Sequence, residues 1–344
     1  MNKNKKWNIA IIGATGTVGE EMLSILEERE FPVKELFLYA SQNSAGTRLS
    51  FNGKYFTSQV LSENNIEDFK KIDVALMSAG SEISRHYAPL IAKQGTVLVD
   101  NSNAWRMDSN VPLIVPEVNY TDIMHFKKTN IIANPNCSTI QMVLVLKPIH
   151  DAFRIRRIVV STYQSVSGKG KKGIQELANQ MVALLNQKEI EFSEFPHQIA
   201  FNCIPHIDKF IENRYTLEEQ KMVQETRKIM NDSTLRITAT CVRVPVFSAH
   251  CESINIETER KATAQDIFSL LSQAKGLKIV DDPEKNSYPL NIHAAGKNET
   301  LVGRIREDES IENGINMWVV SDNIRKGAAL NAVQISEALV TEFL

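Results

Sequence analysis

The sequence predicts an α/β protein in two parts. The first, residues 1–134, is a doubly wound parallel-sheet domain completed by a C-terminal helix at 325–344; the second, 135–324, is an α+β domain with a mixed sheet. Three observations carry this. Apolar strand-like runs alternate with helical stretches through the first part, the pattern of parallel βαβ units. A glycine-rich turn, Gly13–Gly19, joins the first such run to the first amphipathic stretch. Beyond Cys137 the runs alternate with period two, as in Ile237/Ala239/Cys241 and Ile254/Ile256, which marks a sheet with one covered face.

The elements follow in order. Asn8–Ile12 is an apolar strand, and Val18, Met22, Ile25 and Leu26 then recur at helical spacing. Leu36–Tyr39, Val74–Met77 and Thr96–Asp100 read as strands, with a helix at 84–93 and a further strand ending at Asn134. In the second part Ile155–Tyr163, Arg236–Val244, Ser253–Thr258 and Ile315–Val320 read as strands. Helices are expected at 171–187, 216–230, 264–274 and 325–342, and an irregular loop at 192–210.

Composition narrows the function classes. A chain of 344 residues is long for a single core. Its formal net charge of −2 gives no electrostatic case for nucleic acid or an anionic membrane surface. No apolar run reaches membrane-spanning length, and the basic start Met1–Lys6 leads into a strand rather than a signal-peptide apolar stretch. Four cysteines lack zinc-type pairing and a disulfide-scaffold spacing, and a Cys203/His206 pair supplies too few ligands for a metal site. No metal, no nucleic acid, no membrane and a reducing, cytoplasmic compartment are the expectations.

The glycine turn has the spacing GxxGxxG. Gly13 permits a tight turn, Gly16 lets the backbone approach a pyrophosphate, and Gly19 lets helix and strand pack closely. The helix start then offers N–H donors to phosphate. Strand, turn and helix in this order point to a Rossmann-type dinucleotide site contacted by Gly13, Thr15, Gly16, Thr17 and Val18; a glycine turn without a ligand is the plainer alternative. After the second strand, Ala40–Gly46 carries Ser41, Asn43 and Ser44 but no acid for a ribose 2′-hydroxyl, which favours NADP, with Arg48 as a helper.

Cys137 is the most telling residue. Asn134-Pro135-Asn136-Cys137 ends a strand, and a helix is expected from Ser138, so the thiol stands at a helix N-terminus. Unpaired N–H groups and the helix dipole there favour a thiolate and could hold an oxyanion. The plainer alternative is a buried cysteine acting as a small hydrophobe. Arg106 sits in the polar loop Asp100–Arg106 beyond a strand's carboxyl end, where open α/β sheets bind ligands, and arginine suits carboxylate or phosphate. Among seven histidines, His250 lies at a turn between two strands, seven residues after Arg243, and histidine titrates near operating pH. His86, His125 and His150 read as structural or solvated, and His197 and His206 flank prolines in the loop at 192–210.

Gly13–Gly19, Asp100–Arg106, Asn134–Ser138, Thr162–Gln164, Arg243–Val246 with His250, and Trp318–Gly327 occur in this order, and together the chain resembles the bacterial aspartate-β-semialdehyde dehydrogenases over essentially its whole length. The resemblance implies NADPH-dependent reductive dephosphorylation of β-aspartyl phosphate to aspartate semialdehyde, a step toward lysine, methionine and threonine. It implies Cys137 as nucleophile, His250 as acid/base catalyst and Gln164 as the residue orienting the intermediate. It further implies Arg243 at the substrate carboxylate, Arg106 and Lys221 at phosphate, Glu218 at the amino group, and Asn136 beside the substrate. Ala79, Gly80, Ser167, Gly168 and Asn323 would touch the cofactor, and the second domain would form a homodimer, possibly assembled further into a tetramer. One departure concerns the cofactor: many relatives carry an arginine where this chain has Gln42-Asn43.

Three other readings compete. An N-acetyl-glutamyl-phosphate reductase would share the glycine turn and cysteine but needs a larger acyl pocket. A non-catalytic binding module would have lost the cysteine or histidine, and both are present. A thiol redox sensor would call for a resolving cysteine nearby, which is absent.

Overall fold

Strand β1 (Trp7–Ile12) is buried at five of its six residues, which requires neighbours on both edges and cover on both faces. In the computed structural model, which describes residues 5–344, it has them. Met1–Asn4, which open the basic N-terminal stretch, lie outside the described residues. The chain divides into two units: residues up to Asn136 together with Ala328–Leu344, and Cys137–Gly327.

In the first unit, helix α1 (Thr17–Glu28) leads to β2 (Val33–Ala40), a hairpin of β3 (Arg48–Phe51) and β4 (Lys54–Thr57), and the short β5 (Gln59–Val60). Asn52 and Gly53 turn that hairpin with φ of 50° and 70°, the left-handed pair a tight two-residue turn demands. Then follow β6 (Val74–Met77), α2 (Ser81–Ala92), β7 (Val97–Asp100), α3 (Pro116–Asn119) and β8 (Ile131–Ala133). The sheet runs β5-β2-β1-β6-β7-β8, parallel at every pairing. Strand order reverses between β1 and β6, the switch point where open α/β sheets bind ligands.

The second unit opens with α4 (Cys137–Phe153), followed by β9 (Ile155–Gln164), α5 (Gly170–Leu185), α6 (Leu217–Met230), β10 (Arg236–Arg243) and β11 (His250–Thr258). After these come α7 (Ala264–Leu271), β12 (Leu277–Ile279), α8 (Asn291–Ala294), β13 (Thr300–Asp308) and β14 (Gly314–Ser321). The mixed sheet has the order β10-β9-β11-β14-β13-β12, with antiparallel pairs at its centre. Ile158, Val160, Thr162 and Gln164 of β9 are buried and pair across the strands with Ile256, Ile254 and Glu252 of β11 and with Arg243 of β10, which defines the covered face. On the other face Ser161, Tyr163, Thr240, Ser253 and Trp318 are exposed or half-buried.

Helix α9 (Leu330–Ala338) belongs to the first unit, where Val333, Ile335 and Leu339 join the core formed with β1, β6 and α1. Arg29 at the end of α1 clasps Glu337 with two bonds of 2.7 Å. Strand β11 begins at His250, three residues earlier than the sequence indicates, and β13 was not expected at all. Among the described residues no helix is long and apolar enough to cross a membrane, and no group of three acidic, cysteine or histidine residues could hold a metal.

Candidate active site

The glycine turn sits at the carboxyl end of β1, at the switch point. Gly13 has φ of +84°, and a Cβ there would meet Ser78 O at 2.3 Å, so the turn lies directly against the chain leaving β6. At Gly19 a Cβ would fall 2.2 Å from Gly13 O, and only glycine lets α1 approach the turn. Gly16 occupies the N-cap of α1 with no side chain capping it, which leaves the helix's first N–H groups uncapped by Gly16. The Thr17 hydroxyl is buried with no hydrogen-bond partner among the described residues. An orphaned hydroxyl at an open helix start is what a pyrophosphate would satisfy, so these residues fit a dinucleotide. Gly80, with φ of +84°, starts α2 nearby in sequence to Ala79. Ser41 O accepts from Ser44 and Ala45 N–H, folding the segment after β2 into a turn. Arg48, expected near a 2′-phosphate, lies on β3 with its guanidinium 4.9 Å over the Tyr55 ring.

Arg106 is buried and donates to the carbonyls of Asn134 (2.9 Å) and Asn101 (2.8 Å). The loop that carries it is organised by Asp100, a fully buried carboxyl accepting from Ser84 and from Ser102 N–H and hydroxyl. Burial pushes Asp100 upward, and these bonds together with Arg106 pull against it.

In the second unit Cys137 is the first residue of α4, one position earlier than the sequence reading of the helix. Gly327 packs against it so closely that a Cβ there would be 2.8 Å from Cys137 Cβ. Arg243 and Gln164 end the paired strands β10 and β9 in register with each other. Arg243 donates to Ser165 O at 2.6 Å and lies against Gly168, where a Cβ would come within 2.9 Å of the guanidinium. Burial lowers its pKa, while the negative fields of Glu218, Cys137 and Cys241 act to raise it. The Cys137 sulfur is therefore within the field of a buried cation.

Gln164 donates to Glu218 Oε1 at 3.1 Å, Lys221 donates to Glu218 Oε2 at 3.1 Å, and Lys221 also reaches Asp208 at 2.7 Å. Burial lowers the Lys221 pKa, but Glu218 and Asp208 outweigh it and the net shift is upward. The neighbouring Glu219 instead closes the capping box of α6 with Thr216 and accepts from Cys241 N–H.

His250 is completely buried. Its Nδ1 accepts from Ser165 N–H at 3.0 Å and lies 3.1 Å from the Ser165 hydroxyl. A backbone N–H can only donate, so the ring proton sits on Nε2, which has no partner among the described protein atoms. Burial above all, then Arg243, lowers the His250 pKa to about 3. The sequence expectation of an imidazole titrating near neutrality is thereby corrected: desolvation and a neighbouring cation both disfavour the charged ring. Asn323 Oδ1 accepts from the Ser165 and Ser167 hydroxyls and from Ala249 N–H, so this residue, read as a cofactor contact, braces the histidine's surroundings. Ser165, Asp208 and Glu252 are functional neighbours that the sequence pattern does not mark as a group. Ser165 adjoins the Thr162–Gln164 motif; nothing local marks the other two.

Residues 8–126 match the family model described as semialdehyde dehydrogenase, NAD binding domain, and residues 146–326 match its dimerisation domain. These matches place the chain among the semialdehyde dehydrogenases, nucleotide-dependent oxidoreductases with this two-domain α/β build. An aspartate-semialdehyde dehydrogenase of Aquifex aeolicus is 56% identical over 98% of this chain and 99% of its own. Another, aspartate-semialdehyde dehydrogenase 2 of Vibrio cholerae, is 51% identical over 99% of each. The crystal structure of aspartate semialdehyde dehydrogenase II from Vibrio cholerae complexed with ASA superposes with a TM-score of 0.96 at 51% identity, covering 99% of this chain and 100% of that one. The chain belongs to the aspartate-semialdehyde dehydrogenase family.

Proposed function

We propose that this chain reduces β-aspartyl phosphate to aspartate β-semialdehyde with NADPH through a thioester on Cys137. The observation that carries the reading is a cysteine at the first residue of a buried helix, within the field of the buried Arg243 guanidinium. Both features favour thiolate.

The thiolate attacks the acyl carbon, phosphate departs, and a thioester forms. Arg243 is assigned the substrate α-carboxylate, Arg106 and Lys221 the phosphate, Glu218 the amino group, with Gln164 and Asn136 orienting the acyl group. Bound at the glycine turn, with Ser41, Asn43, Ser44, Ala79, Gly80, Ser167, Gly168 and Asn323 as further contacts, the cofactor supplies the hydride. His250 offers Nε2–H to the oxygen on which charge develops, as a neutral donor. Collapse of the tetrahedral oxyanion gives the aldehyde and returns the thiolate without a net proton, so a neutral imidazole suffices.

The absence of an acid after β2 supports NADP over NAD. The open face of the mixed sheet, with the Tyr163 and Trp318 rings 5.3 Å apart, together with the family's dimerisation-domain match, supports a homodimer. Four cysteines outside any disulfide support a cytoplasmic, reducing setting.

The test is phosphate-dependent oxidation of aspartate semialdehyde by the purified protein, with NADP and NAD assayed separately and N-acetyl-glutamate semialdehyde as the competing substrate. Turnover of the aspartate compound with NADP preferred is the expected outcome. Absence of turnover, or preference for the acetylated substrate, contradicts the reading.

A further inference from the structure

The Asn291 side chain stands behind His250. Strand β11 begins at His250, and its period-two alternation puts His250, Glu252 and Ile254 on the covered face that α4 packs against. The residues on either side of the histidine, Ala249 and Cys251, join a separate apolar cluster with Ala294 of α8 and with Leu301 and Val320. Asn291, the first residue of α8, reaches both. Its amide nitrogen donates to Ala249 O at 2.8 Å, and its amide oxygen accepts from the Cys251 thiol, with Sγ 2.9 Å away.

Ala249 needs such a hold. It is buried with φ of +68°, a left-handed conformation that a side chain bearing Cβ seldom adopts without support. Its N–H is taken by Asn323 and its carbonyl by Asn291, so both peptide groups of the strained residue are pinned by amide side chains. Asn291 then fastens the residue after the histidine through Cys251, and the His250 carbonyl accepts from Gln141 on α4 at 3.4 Å. A donor and an acceptor two bonds apart are required; aspartate lacks the donor and leucine lacks both.

We propose that Asn291 is a positioning residue for the reaction: by clamping the backbone at 249 and 251 it aims the His250 imidazole. The inference rests on the reading that His250 serves the chemistry. Asn291 bonds the backbone carbonyl before the histidine and the thiol after it, so it acts on catalysis through the main chain that carries the ring.

The experiment is a double-mutant cycle on the full-length enzyme, with kcat, KM for aspartate semialdehyde and phosphate, and thermal midpoint measured for Asn291→Ala, Asn291→Asp, His250→Ala and the combinations. Asn291→Ala should lower kcat by about tenfold with KM changed less than about twofold, since misaiming a catalytic group acts on the reacting state. In the His250→Ala background the same substitution should change kcat less than about twofold, because the group it aims is gone. Cys251→Ser, which keeps a donor, should lose less than Cys251→Ala. Equal fold-losses in both backgrounds, or a folded Asn291→Ala enzyme with unaltered kcat, overturn the proposal. If the alanine variant fails to fold, Asn291→Asp, nearly isosteric but with a carboxylate in place of the donor, decides by the same comparison. A His250→Ala enzyme of normal activity would instead refute the reading of His250 itself.

Discussion

At the scale of single residues, His250 shows how surroundings rewrite a side chain's chemistry. Ser165 N–H fixes Nδ1 as an acceptor, while burial and Arg243 hold the ring neutral down to a pKa of about 3. In the proposed reaction the histidine is therefore an uncharged donor. In ¹⁵N NMR spectra of histidine-labelled protein, the His250 resonances, assigned by their loss in His250→Gln, should show the neutral Nε2–H tautomer unchanged from pH 8 to pH 5. A protonation midpoint between pH 6 and 7 would contradict this. Glu252, two residues on, is shifted the other way: it is fully buried, and burial raises its pKa well above the usual carboxylate value, with the Gln141 amide opposing.

At the scale of elements, the turn between β1 and α1 is built so that different glycines answer to different demands. A Cβ at Gly19 would strike Gly13 O at 2.2 Å and Ala14 Cα at 2.8 Å, so Gly19→Ala must displace α1 and should cost about 2 kcal/mol in chemical denaturation. At Gly16 a Cβ meets only Gly13 O at 3.3 Å. Gly16→Ala should therefore lower stability by less than about 1 kcal/mol while weakening dinucleotide binding in titration calorimetry at least about tenfold. Equal stability losses at the two positions would contradict the division of labour. This turn was legible in the sequence because its chemistry is local: strand, glycines and helix are contiguous. The same holds for Cys137 at its helix start. Strand β13 was not legible, because Gly303 and Arg304, the latter with φ of 53°, interrupt its alternation where the pairing with β14 shifts register. The β3–β4 hairpin does carry a local signal, the Asn52-Gly53 turn, but its strands are short and largely exposed and so lack an apolar run. Asn291 was beyond reach for another reason: its two bonds arise from the start of β11 and the placement of α8, which residue types in one stretch do not encode.

At the scale of the whole molecule, buried titrating groups set how stability follows pH. The folded state keeps His250 neutral, whereas the unfolded chain protonates it below its ordinary value of 6.5, so stability falls as pH drops from there toward 3. Glu252 works in the opposite sense. Its folded pKa lies above the ordinary 4.5, so the unfolded chain ionises first and stability falls as pH rises above 4.5. Glu252→Gln removes that second dependence. Its thermal midpoint, relative to the native protein, should increase as pH rises above 5 in scanning calorimetry; a constant difference would show that the buried carboxyl ionises normally.

The central claim is that Cys137 carries the acyl group. Aspartate semialdehyde and NADP, supplied without phosphate, should drive the protein to the thioester and leave it there, since no acceptor is present to release it. Intact-mass measurement followed by peptide mapping should find one aspartyl group on Cys137, lost on adding phosphate and absent from Cys137→Ala. An adduct on Cys203, Cys241 or Cys251, or normal phosphate-dependent turnover by Cys137→Ala, would contradict the account.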